Sequence, residues 1–396
     1  MITTGVAWFD DPSIVKNTEG WYSVRGENAQ RFSRHSDLPS DCIFITNMTF
    51  ESLGKINISR HNLKLESFVG NTLEDVLSDL GVDVQIIGIP EVVKTCSCIF
   101  DAAFNLAQQV YGEDVLSGFG LHQGIASCIQ QPIAKEIKED LLLCSALSDA
   151  YLRTTVCEFS KSSAWIATKP ISHKFRFNRT LHTLSVLKKL VPKGNHKMID
   201  TSDSVENILA MNLPALVRVS VRNFNHDAAP IFAFGTRFGA KNRGSLRTWV
   251  TSYELAMLNE IAIVETLNYP WFVWEGGWAH HDYKLPDELL NPMIAASYPG
   301  QLLAEAFLSA ILNPPFESGR KFYTPSIVFL SAIERIQMYQ TAQTASRIPG
   351  VTVLSYGQGR MKAHTRTSHN NESIIKWSKN NGFVFPPEYA FTTMKD

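Results

Sequence analysis

Apolar and polar positions recur along most of the chain with the period of a strand or of a helix. In the first half, residues 3–9 (TTGVAWF) predict a strand that runs into Asp10-Asp11-Pro12, and residues 21–25 predict a second. Residues 42–45, short and wholly apolar, predict a third strand with both faces covered. A short helix follows over 73–80, a strand over 84–89, a helix over 95–111, and one or two long helices over 133–159. Strands alternating with helices indicate an α/β arrangement here.

In the second half, residues 165–174 read as loop or strand and 181–190 as a short helix stopped by Pro192 and Gly194. Residues 216–221 alternate cleanly, as a strand with one basic face does. Helices are predicted over 254–264, 302–312 and 327–347, an aromatic strand over 271–274, and a turn at Gly276-Gly277. A strand over 351–354 then meets Ser355-Tyr356-Gly357-Gln358-Gly359-Arg360. No internal repeat or low-complexity tract interrupts this order.

Composition narrows the picture. With 396 residues and 44% hydrophobic content, the chain holds two or three domains and a large core. No apolar run approaches the roughly 20 residues of a membrane span, and the N-terminus lacks the basic head of a signal peptide. The expectation is a cytoplasmic protein, neither secreted nor membrane-bound. The six cysteines (42, 96, 98, 128, 144 and 157) show no metal-ligand spacing and read as reduced thiols.

Charge is divided unevenly. Residues 1–160 carry 11 Lys/Arg against 21 Asp/Glu, a net of −10, and residues 161–396 carry 26 against 17, a net of +9. Between 161 and 199 stand Lys161, Lys169, Lys174, Arg176, Arg179, Lys188, Lys189, Lys193 and Lys197 without a single acid. Such a segment suits a polyanion. Trp165, Phe175 and Phe177 lie among these charges and are candidates either for stacking on unpaired bases or for the core. A second basic set comprises Arg218, Arg222, Arg237, Lys241, Arg243 and Arg247.

The order of motifs resembles the protein-primed family B DNA polymerases. Glu334-Arg335-Ile336-Gln337-Met338-Tyr339 resembles the family's Ala-Arg-Ile before Met-Tyr. Residues 245–255, with Trp249 and Glu254-Leu255, resemble its Gly-x-Trp-x-x-x-Glu-Leu segment, and Asn313-Pro314-Pro315-Phe316 its fingers motif. Asp200 and Asp203 sit where the first palm motif, Asp-x-x-Ser-Leu-Tyr-Pro, belongs. In the first half, Asp10-Asp11-Pro12 is placed like the exonuclease Asp-x-Glu, Asn47 to Glu51 like His-Asn-x-x-Phe-Asp, and Ser145 to Asp149 like Tyr-x-x-x-Asp.

The resemblance implies an RNase H-like exonuclease-type domain over 1–160, a basic connecting segment over 161–197, and an α+β unit over 198–396 with a palm-like antiparallel sheet, fingers and no thumb. It also implies a lost site. Where the family's strand runs into Tyr-x-Asp-Thr-Asp-Ser, this chain has Gly357 and Gly359, so the carboxylates that hold two Mg2+ or Mn2+ ions are missing. Asp200 and Asp203 in the palm, and Asp10, Asp11, Glu51 and Asp149 in the first domain, are the vestigial catalytic candidates. Lys161, Lys169, Lys174, Arg176, Arg179, Lys188, Lys189, Lys193, Lys197, Arg218, Arg222, Arg243, Arg247 and Arg335 are the candidates for binding nucleic acid, DNA before RNA.

Three functions fit these residues. The first is a catalytically degenerate polymerase-like protein that binds nucleic acid or scaffolds a larger complex. The second is an enzyme, either a residual 3′–5′ exonuclease or a divergent polymerase that retains Mg2+ or Mn2+. The third is an assembly subunit that docks a protein partner through exposed Trp271, Trp274 and Trp278. Two plainer readings stand beside them: Asp200 and Asp203 as caps of a helix beginning near Ser204, and His280-His281-Asp282 as a rim loop without metal.

Overall fold

The computed structural model describes residues 3–12, 19–48, 63–64, 73–112, 115, 126, 129, 133, 159–160, 171–225, 246–312, 316–317, 320–321, 324–365 and 368–384. The chain divides into two compact units. One comprises Met1–Glu136, Leu285–Pro315 and Phe385–Asp396, the other Ile137–Lys284 and Phe316–Val384. Both mix α and β structure, and antiparallel pairing predominates.

The first unit is built on a five-stranded sheet of β1 (Thr3–Phe9), β2 (Gly20–Val24), β3 (Gln30–Phe32), β4 (Cys42–Thr46) and β5 (Leu63–Lys64), in the order β3-β2-β1-β4-β5. β1 runs antiparallel to β2 and parallel to β4, and β4 runs parallel to β5. Every residue of β4 is buried, as its apolar run predicts for a central parallel strand. Gly5 permits the close approach of β1 and β2, since a Cβ there would stand 2.5 Å from the Ser23 carbonyl oxygen. The helix Ile89–Tyr111 packs on β1 and β2 through Val92, Val93, Cys96, Phe100, Ala103 and Ala107. Those positions follow the three- and four-residue spacing of one helix face.

The strand expected over 84–89 is instead a short helix, Val84–Ile87, followed by the long one. Asp83 caps it, accepting from the Gln85 amide at 2.9 Å, and Gly88 at φ 90° separates the two helices. Cap and glycine signals override the β-branched composition. Burial pushes the thiols of Cys42 and Cys96 up to about 12, which makes them inert core residues, whereas Cys98 is exposed.

The second unit holds two five-stranded sheets. The strands of these two sheets in chain order are β6 (Phe159–Ser160), β7 (Ile171–Phe177), β8 (Lys197–Ile199), β9 (Ala215–Arg222), β10 (Leu246–Thr251), β11 (Ile263–Thr266), β12 (Trp271–Val273), β13 (Val351–Gly357), β14 (Arg360–Thr365) and β15 (Phe383–Val384), beside two short two-stranded pairs. One sheet runs β10-β9-β12-β8 with β11 also paired to β9, and the other β15-β7-β14-β13-β6. Between β10 and β11 lies the helix Ser252–Ile261, shorter than the expected 254–264 because β-branched Ile263 and Val264 continue as strand. Thr251 caps that helix, and Glu254 completes the capping box. The helix Pro325–Ser346 is buried without a break from Ser326 to Arg335, as a helix at the centre of a core is.

Candidate functional site

Gly357-Gln358-Gly359-Arg360 is the turn of the β13–β14 hairpin, where Gly357 pairs with Arg360. Backbone φ is 144° at Gly357, 48° at Gln358 and 72° at Gly359, a run of left-handed conformations that glycine adopts at least cost. The turn is anchored from three sides. The Gly359 carbonyl accepts from the Phe177 amide at 2.9 Å. The Gly359 amide donates to Glu334 Oε1 at 3.2 Å. His182 Nε2 stands 3.4 Å from that same Glu334 oxygen. The imidazole also stacks on Phe177, with ring centroids 5.4 Å apart. Glu334 is 0% exposed and His182 8%, so the turn rests on a dry, polar seat.

Behind this seat lies a second buried pair. Arg335 Nε donates to Glu254 Oε1 at 2.8 Å, and Glu254 Oε2 accepts from the Thr251 amide at 2.9 Å and its hydroxyl at 3.1 Å. Glu254 thus closes a helix cap and neutralises an arginine from another helix. The two segments singled out around Glu254-Leu255 and Glu334-Arg335 meet in this ion pair. Beneath the hairpin, burial pushes the phenol of Tyr356 well above its ordinary range, so it stays protonated.

Asp200 follows β8, which pairs with β12 in the other sheet, and the partners of β13 are β14 and β6. The strand alongside the hairpin is β7, matched to β14 from Arg176↔Arg360 to Ile171↔Thr365. Residues 165–174 read ambiguously in sequence, and 171–177 carry Ser172, His173, Lys174 and Arg176 among their apolar positions, so β7 did not announce itself as a central strand. Asp203 has a local role. Its Oδ1 accepts from the Ser204 amide and from Asn207 Nδ2, both at 2.8 Å, while Ser204 caps the helix Val205–Ala210. The cap is therefore Ser204 and not Asp200 or Asp203, and Asp203 braces the capped turn from outside the helix.

A divalent ion needs several hard oxygen ligands. The turn offers one carboxylate, already hydrogen-bonded to an amide, and one imidazole. This donor set does not fit the two-ion centre that the resemblance implies. Among the described residues, no group of three or more His, Cys, Asp or Glu side chains is placed to hold a metal.

In the first unit, Asp10 follows β1 and accepts from Arg31 Nη1 at 3.2 Å and from Nη2. The parallel ladder of β1 and β4 is extended by Asn47, whose Oδ1 accepts from the Phe9 amide at 2.8 Å and whose Nδ2 donates to the Phe9 carbonyl at 2.9 Å. Asp10 is thus held beside Asn47 at one end of the sheet. Asp11 lies next to it, while Glu51 and Asp149 fall outside the described residues.

The basic candidates separate into surface and core. Lys174, Lys188, Lys189, Lys193, Lys197, Arg222 and Arg247 are exposed, and Arg176 and Arg218 are half-buried. Lys197 pairs with Glu275 at 3.0 Å. Arg179, 4% exposed, and Arg335, 2% exposed, belong to the interior. Both were expected on a nucleic-acid surface, and each sits instead on a helix whose buried face includes it. Lys161, Lys169, Arg237, Lys241 and Arg243 fall outside the described residues, as does Trp165. Phe175 is core at 3%, and Phe177 stacks on Phe383 with centroids 4.1 Å apart. Trp271 and Trp274, expected on an exposed partner surface, are 2% and 0% exposed.

No protein-family model matches the sequence, and no curated protein matches it closely. Among solved structures, the chain is similar to Phi29 DNA polymerase complexed with primer-template DNA and incoming nucleotide substrates, at 14% identity and a TM-score of 0.43. The same polymerase complexed with single-stranded DNA is matched at 14% identity and a TM-score of 0.43. The first match covers 76% of this chain but only 60% of the polymerase. At this identity and TM-score the likeness does not fix the fold. Among the described residues, no helix is long and apolar enough to cross a membrane.

Sequence reasoning missed Glu334, His182 and Glu254. One signal was available: Glu334-Arg335 interrupts a helix that is otherwise apolar or small from Ile327 to Ile333. Charges at the centre of such a helix must find partners when it is buried.

Proposed function

We propose that this chain is a polymerase-like protein without nucleotidyl-transfer activity that binds nucleic acid. The observation that carries the reading is the hairpin turn at Gly357 and Gly359. Its backbone is clamped to Glu334, and His182 and Phe177 fill the space beside it. Phosphoryl transfer on two ions requires carboxylates at such a turn. Losing them removes several kcal/mol of transition-state stabilisation, hence orders of magnitude in rate. The sheet order β3-β2-β1-β4-β5, with only β2 running against the other strands, supports an RNase H-like reading of the first unit. There the Arg31 guanidinium on Asp10 opposes metal binding by that carboxylate. The exposed lysines and arginines of the second unit support polyanion binding. The burial of Trp271 and Trp274 speaks against the assembly-subunit reading at those two positions, and of the three tryptophans only Trp278, half-buried, stays accessible to a partner.

Primer extension on a labelled primer–template with Mg2+ or Mn2+, alongside a binding titration of the same DNA, tests the proposal. Binding without extension is expected. Templated synthesis by the purified protein overturns the loss of catalysis, and no binding at low salt overturns the nucleic-acid reading.

A further inference from the structure

On β9, Val217, Val219 and Val221 lie buried on one face, and the other carries buried Leu216 and Ser220 with half-buried Arg218 and exposed Arg222. Directly opposed residues in antiparallel strands share a face. Arg218 opposes Trp249 and Ser220 opposes Arg247 on β10. On the other side, Ser220 opposes Glu265 and Arg222 opposes Ile263 on β11. One sheet face therefore carries Arg218, Arg222 and Arg247, with Glu265 as the acid among them. Neighbouring rows stand roughly 7 Å apart along the strand, twice the rise per residue.

This face also has an aromatic floor. The Arg218 guanidinium lies over the Tyr269 ring, 4.7 Å from its centroid. Tyr269 stands edge-on to Trp249, with centroids 5.7 Å apart, and Trp249 continues to Phe272 at 5.9 Å. Trp249 and Phe272 are buried, whereas Tyr269 is 38% exposed at the margin of the layer. Among the described residues, Arg218 and Arg247 have no ion-pair partner. Arg222 pairs with Glu265, but both side chains are about half exposed, and an exposed pair of this kind is worth little.

We propose that this face binds an unpaired nucleic-acid strand. In this arrangement Arg218 and Tyr269 form a stacking platform for a base, and Arg247 and Arg222 neutralise the flanking phosphates. The proposal rests on the nucleic-acid-binding reading above and gives it a place and a ligand class. A guanidinium held over a tyrosine ring joins it in presenting a cationic, aromatic surface to a base, and stacking tolerates any sequence. Glu265 competes with phosphate for Arg222, so it weakens binding in the native protein.

Fluorescence anisotropy of the full chain with labelled dT20, rU20 and a matched DNA duplex tests this. Arg218→Ala and Tyr269→Ala are expected to weaken single-strand binding about tenfold each, within the range for one stacked base, and to affect duplex binding less. Tyr269→Phe should keep the affinity. Arg247→Ala should lower the affinity and reduce the salt slope by about 0.7, and Glu265→Gln should raise the affinity. Exposed Lys376, on the helix Ser368–Asn380, supplies the neutral control Lys376→Ala. The dT20 and rU20 arms decide between DNA and RNA. If Tyr269→Ala fails to fold, exposed Arg247 and Glu265 decide the matter. Wild-type binding that none of these substitutions changes overturns the assignment and leaves the general reading intact. No binding of any probe by wild type overturns the general reading itself.

Discussion

The Glu334 carboxylate and the Gly359 amide are joined by a 3.2 Å hydrogen bond inside a region closed to water. A helix residue thereby holds the turn of a β-hairpin 25 positions further along the chain. The acid serves the fold at the place where the resemblance calls for acids that serve chemistry. The adjacent His182 imidazole stands 3.4 Å from the same oxygen, while its Nε2 and the other Glu334 oxygen are buried without a hydrogen-bond partner among the described residues.

Glu334→Ala is expected to destabilise the protein by about 2–4 kcal/mol. The substitution leaves the buried Gly359 amide without an acceptor and opens a cavity. Glu334→Gln keeps an acceptor oxygen and should cost less than half as much. Urea denaturation followed by circular dichroism measures both. Equal stability of Glu334→Ala and wild type would show that the bond contributes nothing.

Gly359→Ala is expected to cost about 1–3 kcal/mol. The residue sits at φ 72°, and an added Cβ would lie 2.9 Å from His182 Cδ2. Trimming the imidazole separates the two causes. In a His182→Ala background the steric part disappears and the backbone strain remains, so the combined loss should be smaller than the sum of the two single losses. Strict additivity in a double-mutant cycle would refute the contact.

Arg335→Met is expected to lose about 3–5 kcal/mol, because it strands Glu254 as an unpaired buried carboxylate. Both side chains are nearly inaccessible, at 3% and 1%. Replacing the two together, with Glu254→Gln and Arg335→Met, should recover part of that loss. Thermal melts of the three variants decide this, and a double variant worse than the sum of the singles contradicts it.

Much of the fold was legible in sequence, and the chief omission has a physical reason. Uniform apolar runs such as Cys42–Thr46 announced a central strand, and Ala215–Arg222 announced one basic face. The helices capped by Thr251, Thr324 and Asn178 were found but started two residues late, because the cap residues went unread, and the one capped by Asp83 was taken for a strand. Which strands lie side by side was not legible, because periodicity reports a residue's face and not its neighbour. β7, rich in Lys, Arg and His, reads as a solvated connector, yet it is the partner of the hairpin strand β14. Asp200 was assigned to the turn by motif order alone, and the strand before it, β8, pairs with β12 and not with β13. Arg335 looked like a surface cation because its partner, Glu254, is 81 residues away.

Acid is expected to weaken the fold as pH falls below about 6.5. Burial lowers the pKa of His196, which packs against Phe272 and Trp274 at 5.4 and 5.9 Å. Burial also lowers that of His281, whose Nδ1 accepts from the Tyr283 amide at 3.1 Å. In both cases the native state favours the neutral ring. The unfolded chain, with histidine near its ordinary 6.5, binds more protons than the native state between the depressed value and 6.5. Stability therefore rises with pH through that window. The contribution is fully present above 6.5 and is lost as the pH falls toward the native-state values. Urea midpoints measured from pH 8 down to pH 5 should decline for wild type. His196→Phe, which cannot take up a proton, should show a shallower decline over the same interval. An identical pH slope in that variant would show that His196 is not a source of the acid sensitivity.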